Sequence, residues 1–144
     1  MPTVFRSMKA ADDGLPIVGD QAKELGVRVP PNPHADIDVD LKTNLVVWNG
    51  KGMSVGANWR DLPTFLIPKR LSAIAPDAAG SNSLICYRFG TGEFVEGNLA
   101  TGLELIMKPG ETNLGLVVPT SAVTITEFQQ ALAATRPDWK VDET

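Results

Sequence analysis

The chain has 144 residues, the size of one domain, and folding a chain this long removes about 68% of its extended surface from water, so a core forms without disulfide staples. With 43% hydrophobic and 21% charged residues it reads as an ordinary globule, and a single Cys and a single His exclude a Cys/His zinc site, a CxxC redox pair and a disulfide framework. The net charge of −4 opposes generic nucleic-acid binding, which depends on neutralising many phosphates.

Thirteen Gly and 11 Pro punctuate the chain heavily, so the expected fold has short elements joined by many defined turns, and a helical bundle is disfavoured. Charge is uneven. Residues 1–70 carry nine Lys/Arg against eight Asp/Glu, and residues 71–144 carry four against nine, so an anionic small ligand is expected against the N-terminal half. No apolar run approaches the roughly 18 residues of a membrane span. Residues 1–6 lack the basic-then-apolar pattern of a cleavable signal, which predicts a cytoplasmic protein in the cell that makes it. Export by a machine that reads no such signal stays open.

In chain order, Thr3 to Met8 alternates as a first strand with Arg6 in its middle, and Asp12-Asp13-Gly14 is a turn signal. Asp20 is placed to cap a short helix through Gln21–Leu25, with Gly26 as its stop. Val27 to Pro33 is expected to be extended, because a residue before proline is pushed out of the α region. His34, at the end of that proline-rich stretch, reads as an exposed loop histidine.

Leu45–Trp48 is a β-type run, and Asn49-Gly50 is the favoured dipeptide of a tight hairpin turn. Lys51-Gly52-Met53-Ser54 then supports two readings: a plain hairpin with an exposed Ser, or glycines that let backbone approach a ligand beside a small hydroxyl. The stretch Leu62-Pro63 to Lys69-Arg70 is either a packed loop with a solvated basic end or a lid over a pocket. Ser83–Phe89, Leu103–Met107 and Leu114–Val118 read as strands, with a short strand expected among the turns of residues 90–98. Cys86 falls in an apolar strand as a small buried hydrophobe. Thr124 and Glu127 form a capping box that opens a helix over about 125–135, with Phe128, Leu132 and Thr135 or Ala131 on one face, and Trp139 is expected to tuck against the body.

The ordered set Val4-Phe5-Arg6-Ser7-Met8-Lys9, Asp13-Gly14-Leu15-Pro16, Leu25-Gly26-Val27-Arg28, Asp36-Ile37, Gly52-Met53-Ser54-Val55, Leu62-Pro63 and the helix Thr124 to Leu132 resembles the small bacterial ADP-ribosyltransferase-like toxins. Within them it is similar to type VI secretion effectors of the Tse-two type and related polymorphic-toxin domains. The resemblance implies a single α+β domain over residues 1–144: an ADP-ribosyltransferase-like split, mixed β core of short strands with few helices, around a cleft that binds NAD.

In such folds an Arg on the first core strand positions NAD and a Ser at the second motif supports the nicotinamide ribose. Arg6 and Ser54 therefore stand as the catalytic candidates, with Phe5, Ser7, Gly52, Met53 and Val55 as cofactor-binding neighbours and no metal. The implied function is an NAD-dependent toxin that transfers ADP-ribose or cleaves NAD inside a target cell. A non-catalytic member that binds a nucleotide or protein partner is the alternative. A cognate immunity protein and a macromolecular target are the implied partners.

The third motif departs from the family pattern. A polar or acidic residue is expected before the proline that precedes the last helix, and this chain has Val118-Pro119 there. Three alternatives follow: Glu93, Glu96, Glu104 or Glu111 brings a carboxylate into the cleft, the protein works without a Glu, or it is not a transferase; Glu127 is the remaining candidate, and the capping box already accounts for it.

Overall fold

The computed structural model describes residues 2–47 and 49–144. Among the described residues, nine strands and one α-helix make an α+β fold. The strands are β1 (Val4–Lys9), β2 (Asp38–Val39), β3 (Val46–Val47), β4 (Met53–Gly56), β5 (Leu84–Phe89), β6 (Gly97–Ala100), β7 (Leu103–Met107), β8 (Leu114–Pro119) and β9 (Lys140–Val141). Seven of them form one sheet in the order β6-β7-β8-β4-β1-β5-β9, while β2 and β3 pair separately. Pairing between these strands is antiparallel throughout, and the parallel pairing expected of a mixed core is confined to isolated bridges at Val18–Leu25 and Pro68–Gly80.

β1, β5, β7 and β8 form where the apolar runs predict them, the short strand expected within residues 90–98 lies later as β6 at Gly97–Ala100, and the longest ladder joins β1 to β5 through six consecutive residue pairs. Alternation along β1 sends Val4 and Met8 to one face and Phe5 to the other. The first face builds the main core with Val55, Tyr87, Leu105, Val117 and the helix residues Phe128 and Leu132. The second face builds a smaller core from Phe5, Trp59, Leu62, Ile67 and Cys86. The strap of residues 58–71, three short 3-10 turns separated by Pro63 and Pro68, is held against the sheet by that second core.

The helix α1 (Ile125–Ala134) starts at the capping box: Glu127 N–H donates to Thr124 Oγ1 at 3.2 Å, and Thr124 N–H donates to Glu127 Oε1 at 3.0 Å. These bonds, given first by backbone and then by the Thr124 side chain, hold the Glu127 carboxyl below its ordinary range. Phe128, Leu132 and Thr135 are buried, as the spacing predicts. Trp139 is also buried, its ring 5.3 Å from that of Phe89 and its Nε1 donating to Thr135 Oγ1 at 2.9 Å.

Two local expectations fail for physical reasons. Residues 21–25 form no helix; Lys23 adopts a left-handed backbone (φ 69°), Gln21 N–H donates to the Glu24 side chain, and Leu25 N–H bonds Ile17 O across a turn. An isolated helix that short cannot offset its nucleation cost. The hairpin at Asn49-Gly50 is also corrected, because β3 pairs with β2 whereas β4 lies between β1 and β8. Gly50 does turn the chain (φ 77°), but β4's partners come from distant sequence. Trp48, at the end of the expected strand, lies outside the described residues.

β1 and β4 pair at one position only, Phe5 with Gly56. Beyond it the two strands separate, and the sheet opens.

Candidate functional site

A cleft of about 320 Å³ occupies that opening. It is lined by both Arg6 and Ser7, consecutive residues whose side chains leave a strand on opposite faces. Both belong to the stretch of β1 beyond its one pair with β4. Ser54 and Val55 of β4, Leu114 and Gly115 of β8 and Lys108 line the far side.

Arg6 fills part of the gap. Its Nη1 donates to Ser54 O at 2.7 Å, and its Nη2 and Nε donate to Glu24 O at 3.0 and 3.3 Å. A guanidinium has five N–H groups in a planar fork, so one remains on each terminal nitrogen, without a partner among the described residues. Main-chain carbonyls orient this charge but do not neutralise it, and Arg6 makes no salt bridge among the described residues. Burial pulls its pKa down to about 10, with Asp36 opposing the fall and Arg28 adding to it. It is still fully charged near neutrality.

The same cleft holds Lys23, Arg28 and Lys108, with Asp36 as the sole carboxylate in its lining. Asp36 is committed: its Oδ2 accepts from Arg28 N–H at 2.8 Å and Arg28 Nε at 3.1 Å, and its Oδ1 accepts from Arg28 Nη2 at 2.9 Å. Those bonds raise the Arg28 pKa above its ordinary value. Helix α1 fixes this pair from behind, because Gln129 Oε1 accepts from Val27 N–H at 3.1 Å and its Nε2 donates to Val27 O at 2.8 Å, as a neighbouring strand would.

Lys23 holds the cleft's one strained backbone position. A left-handed conformation at a residue other than Gly, Asn or Asp costs about 1–2 kcal/mol, and here it sets the turn whose next carbonyl, Glu24 O, receives Arg6. Lys23→Gly is therefore expected to keep or raise the thermal midpoint while weakening the binding of pyrophosphate as a probe anion. A melt paired with a titration reads both, and unchanged pyrophosphate affinity would remove Lys23 from the site.

The apolar wall comes from the strap: Leu62, Pro63, Phe65 and Leu66 line the cleft, with Phe65 62% exposed at its mouth. Of the two sequence readings, the strap combines both, packing Leu62 and Ile67 inward while walling the pocket. Its basic end is not simply solvated, which corrects that part of the packed-loop reading. Arg70 donates from Nη1 and Nη2 to the Glu143 carboxylate at 2.8 and 2.6 Å, and also from Nη2 to Leu84 O at 2.8 Å.

Of the predicted site residues, the structure brings Arg6, Ser7, Ser54 and Val55 to the cleft. Ser7 is buried with its Oγ lacking a hydrogen-bond partner among the described residues, an arrangement that costs about 1–3 kcal/mol. Phe5 and Met53 point into the two cores, and Gly52 abuts β8 so closely that a Cβ would meet Val117 O at 2.6 Å. These three do not line the cleft. Neither do Glu93, Glu96, Glu104 or Glu111; Glu96 accepts from Met107 N–H at 2.7 Å, and Glu104 lines a separate groove with Val118.

Cys86 is buried, its thiol pushed up to about 12 by burial and by the Glu143 carboxylate, so it stays protonated. His34 is exposed in its loop. Among the described residues no cluster of His, Cys, Asp and Glu has the makings of a metal site, and no helix is long and apolar enough to cross a membrane. A scan against protein-family models finds no match, and searches of curated proteins and of solved structures find none either.

Proposed function

We propose that the protein is an NAD-dependent toxin of the ADP-ribosyltransferase type, which cleaves NAD or transfers its ADP-ribose to a target. The observation that carries this reading is the Arg6 guanidinium, held by two main-chain carbonyls with two N–H groups left in a cleft that Ser54 also lines. That fork suits a pyrophosphate, which accepts parallel hydrogen bonds from arginine better than from lysine. Phe65 and the leucines beside it offer a planar ring an apolar wall. The exposed Ser54 supplies a hydroxyl for ribose. The ordered resemblance in sequence adds the ADP-ribosyltransferase-like fold and the expectation of delivery to a target cell. A toxin that acts on shared cellular chemistry endangers its producer, so the reading includes a small cognate immunity protein as partner.

Ser54→Ala is expected to lower nicotinamide release about tenfold, the worth of one hydrogen bond of about 1.4 kcal/mol. The assay is nicotinamide accumulation from NAD by the purified protein, run beside toxicity in a susceptible cell. Equal toxicity for the parent, Arg6→Ala and Ser54→Ala proteins, all folded, would overturn the site. The second reading, a non-catalytic nucleotide binder, draws on Asp36: the cleft's carboxylate is already bonded through both oxygens to Arg28. Tight NAD binding without nicotinamide release would establish it.

A further inference from the structure

The charges in the cleft carry more than one ligand. Four cationic side chains, Arg6, Lys23, Arg28 and Lys108, face one carboxylate, Asp36, in a protein whose overall charge is −4. NAD brings two negative phosphates and one positive nicotinamide ring, so most of this positive excess persists after it binds. From this excess we infer that the second substrate is itself an anion, a small phosphate monoester whose oxygen accepts the ADP-ribosyl group. The inference rests on the NAD reading above and specifies its acceptor.

Three observations support it. A phosphate monoester carries about −1.5 to −2 charges at neutral pH, which matches the excess that NAD leaves. Next, an alcohol or amide acceptor must give up a proton as it bonds to the ribose, and the group that takes it must lie within hydrogen-bond reach. Asp36 is occupied by Arg28, and the single His34 lies in an exposed loop outside the cleft lining. A phosphate oxygen is already ionised and needs no base. Finally, the protein carries a net charge of −4, which repels a long polyanion more than a small one.

The step balances without further reactants. The bond between ribose C1′ and the nicotinamide nitrogen breaks, and its electron pair leaves with the ring as neutral nicotinamide. A lone pair on the phosphate oxygen forms the new C1′–O bond, and no proton, oxidant or reductant is exchanged. The incoming dianion also sits opposite the positive charge that develops at C1′, where a carboxylate would otherwise stabilise it.

The test incubates the full chain with NAD alone and with four additions in turn: inorganic phosphate, a nucleoside monophosphate, a 5′-phosphorylated oligonucleotide and the same oligonucleotide ending in a 5′ hydroxyl. Nicotinamide release and the mass of the acceptor are followed together. The expected result is release about a hundredfold or more above that to water with the nucleoside monophosphate, as positioning a reactant provides, and a mass gain of one ADP-ribose on that acceptor. Lys108→Glu is expected to raise the KM for the monophosphate more than the KM for NAD. Release at the same rate with and without phosphates overturns the acceptor and leaves the NAD reading standing. Transfer to the oligonucleotide alone overturns the assignment to a small ester, and no release under any condition overturns both readings.

Discussion

Arg6→Met is expected to abolish nicotinamide release while leaving a folded protein. Two hydrogen bonds from a charged group are worth about 1.5–3 kcal/mol each, so losing both lowers turnover by roughly 10² to 10⁴. Stability should change far less. No ion pair is broken, and the Glu24 and Ser54 carbonyls that lose their donor border a cleft that water enters, so a cost of about 1 kcal/mol is expected. Removing a half-buried charge with no salt-bridge partner among the described residues also relieves some desolvation, which works in the opposite direction. Arg6→Lys tests geometry apart from charge: one ammonium cannot hold two carbonyls and still present a fork, so most activity stays lost. Nicotinamide assays and urea midpoints measured on the same preparations separate the two effects. An Arg6→Met protein within tenfold of the parent would discard Arg6 as the anchor.

Trp59→Ala is expected to destabilise the protein by about 3–5 kcal/mol, the usual cost of deleting a buried aromatic. Trp59 is fully buried at the centre of the second core, Arg60 lies 4.8 Å from its ring, and its Nε1 donates to Thr144 O at 3.2 Å. Its loss loosens the strap whose Leu62, Pro63, Phe65 and Leu66 wall the cleft, so NAD affinity should fall with stability. Trp59→Phe keeps most of the packing and removes only the hydrogen bond, at about 1 kcal/mol. Calorimetric melts and NAD titrations of the two variants check this. If Trp59→Ala weakens stability but leaves NAD affinity intact, the strap is scaffolding and not part of the binding surface.

The legible parts of the fold are those fixed by neighbouring residues. Apolar runs bounded by glycines and prolines place β1, β5, β7 and β8, and the Thr124–Glu127 pair fixes the start of α1. The alternation of Thr3 to Met8 places Arg6 in the middle of β1, but its standing as a site residue comes only from the resemblance. Illegible parts depend on residues far apart in the chain. The Asn49-Gly50 signal describes a turn correctly, yet pairing in a sheet depends on which strands compete for each edge, and β4 takes Gly56 to Phe5 and Leu116 to Ser54. Arg28 and Asp36 were visible as charges, but their bonding needs the proline-rich loop to fold back, shown by Asp36 N–H reaching Arg28 O. The left-handed Lys23 carries no residue-type signal at all, since lysine has no preference for that backbone region. Arg88 and Asp142, 3.1 Å apart across the closing strand, are of the same kind: burial pushes the Asp142 carboxyl up, and bonds from Thr144 and Arg88 outweigh it, leaving the carboxyl below its usual range.

The single residue pair between β1 and β4 divides the large sheet into two half-sheets, β6-β7-β8-β4 on one side and β1-β5-β9 on the other. Arg6 is the staple between them, reaching from β1 to the Ser54 carbonyl of β4. A ligand that enters the gap touches both halves at once, so it acts as mortar between them. Occupancy and rigidity then become one quantity: a ligand at about a hundred times its Kd adds about 2.7 kcal/mol to the folded state, and the melting temperature itself reports what the cleft accepts.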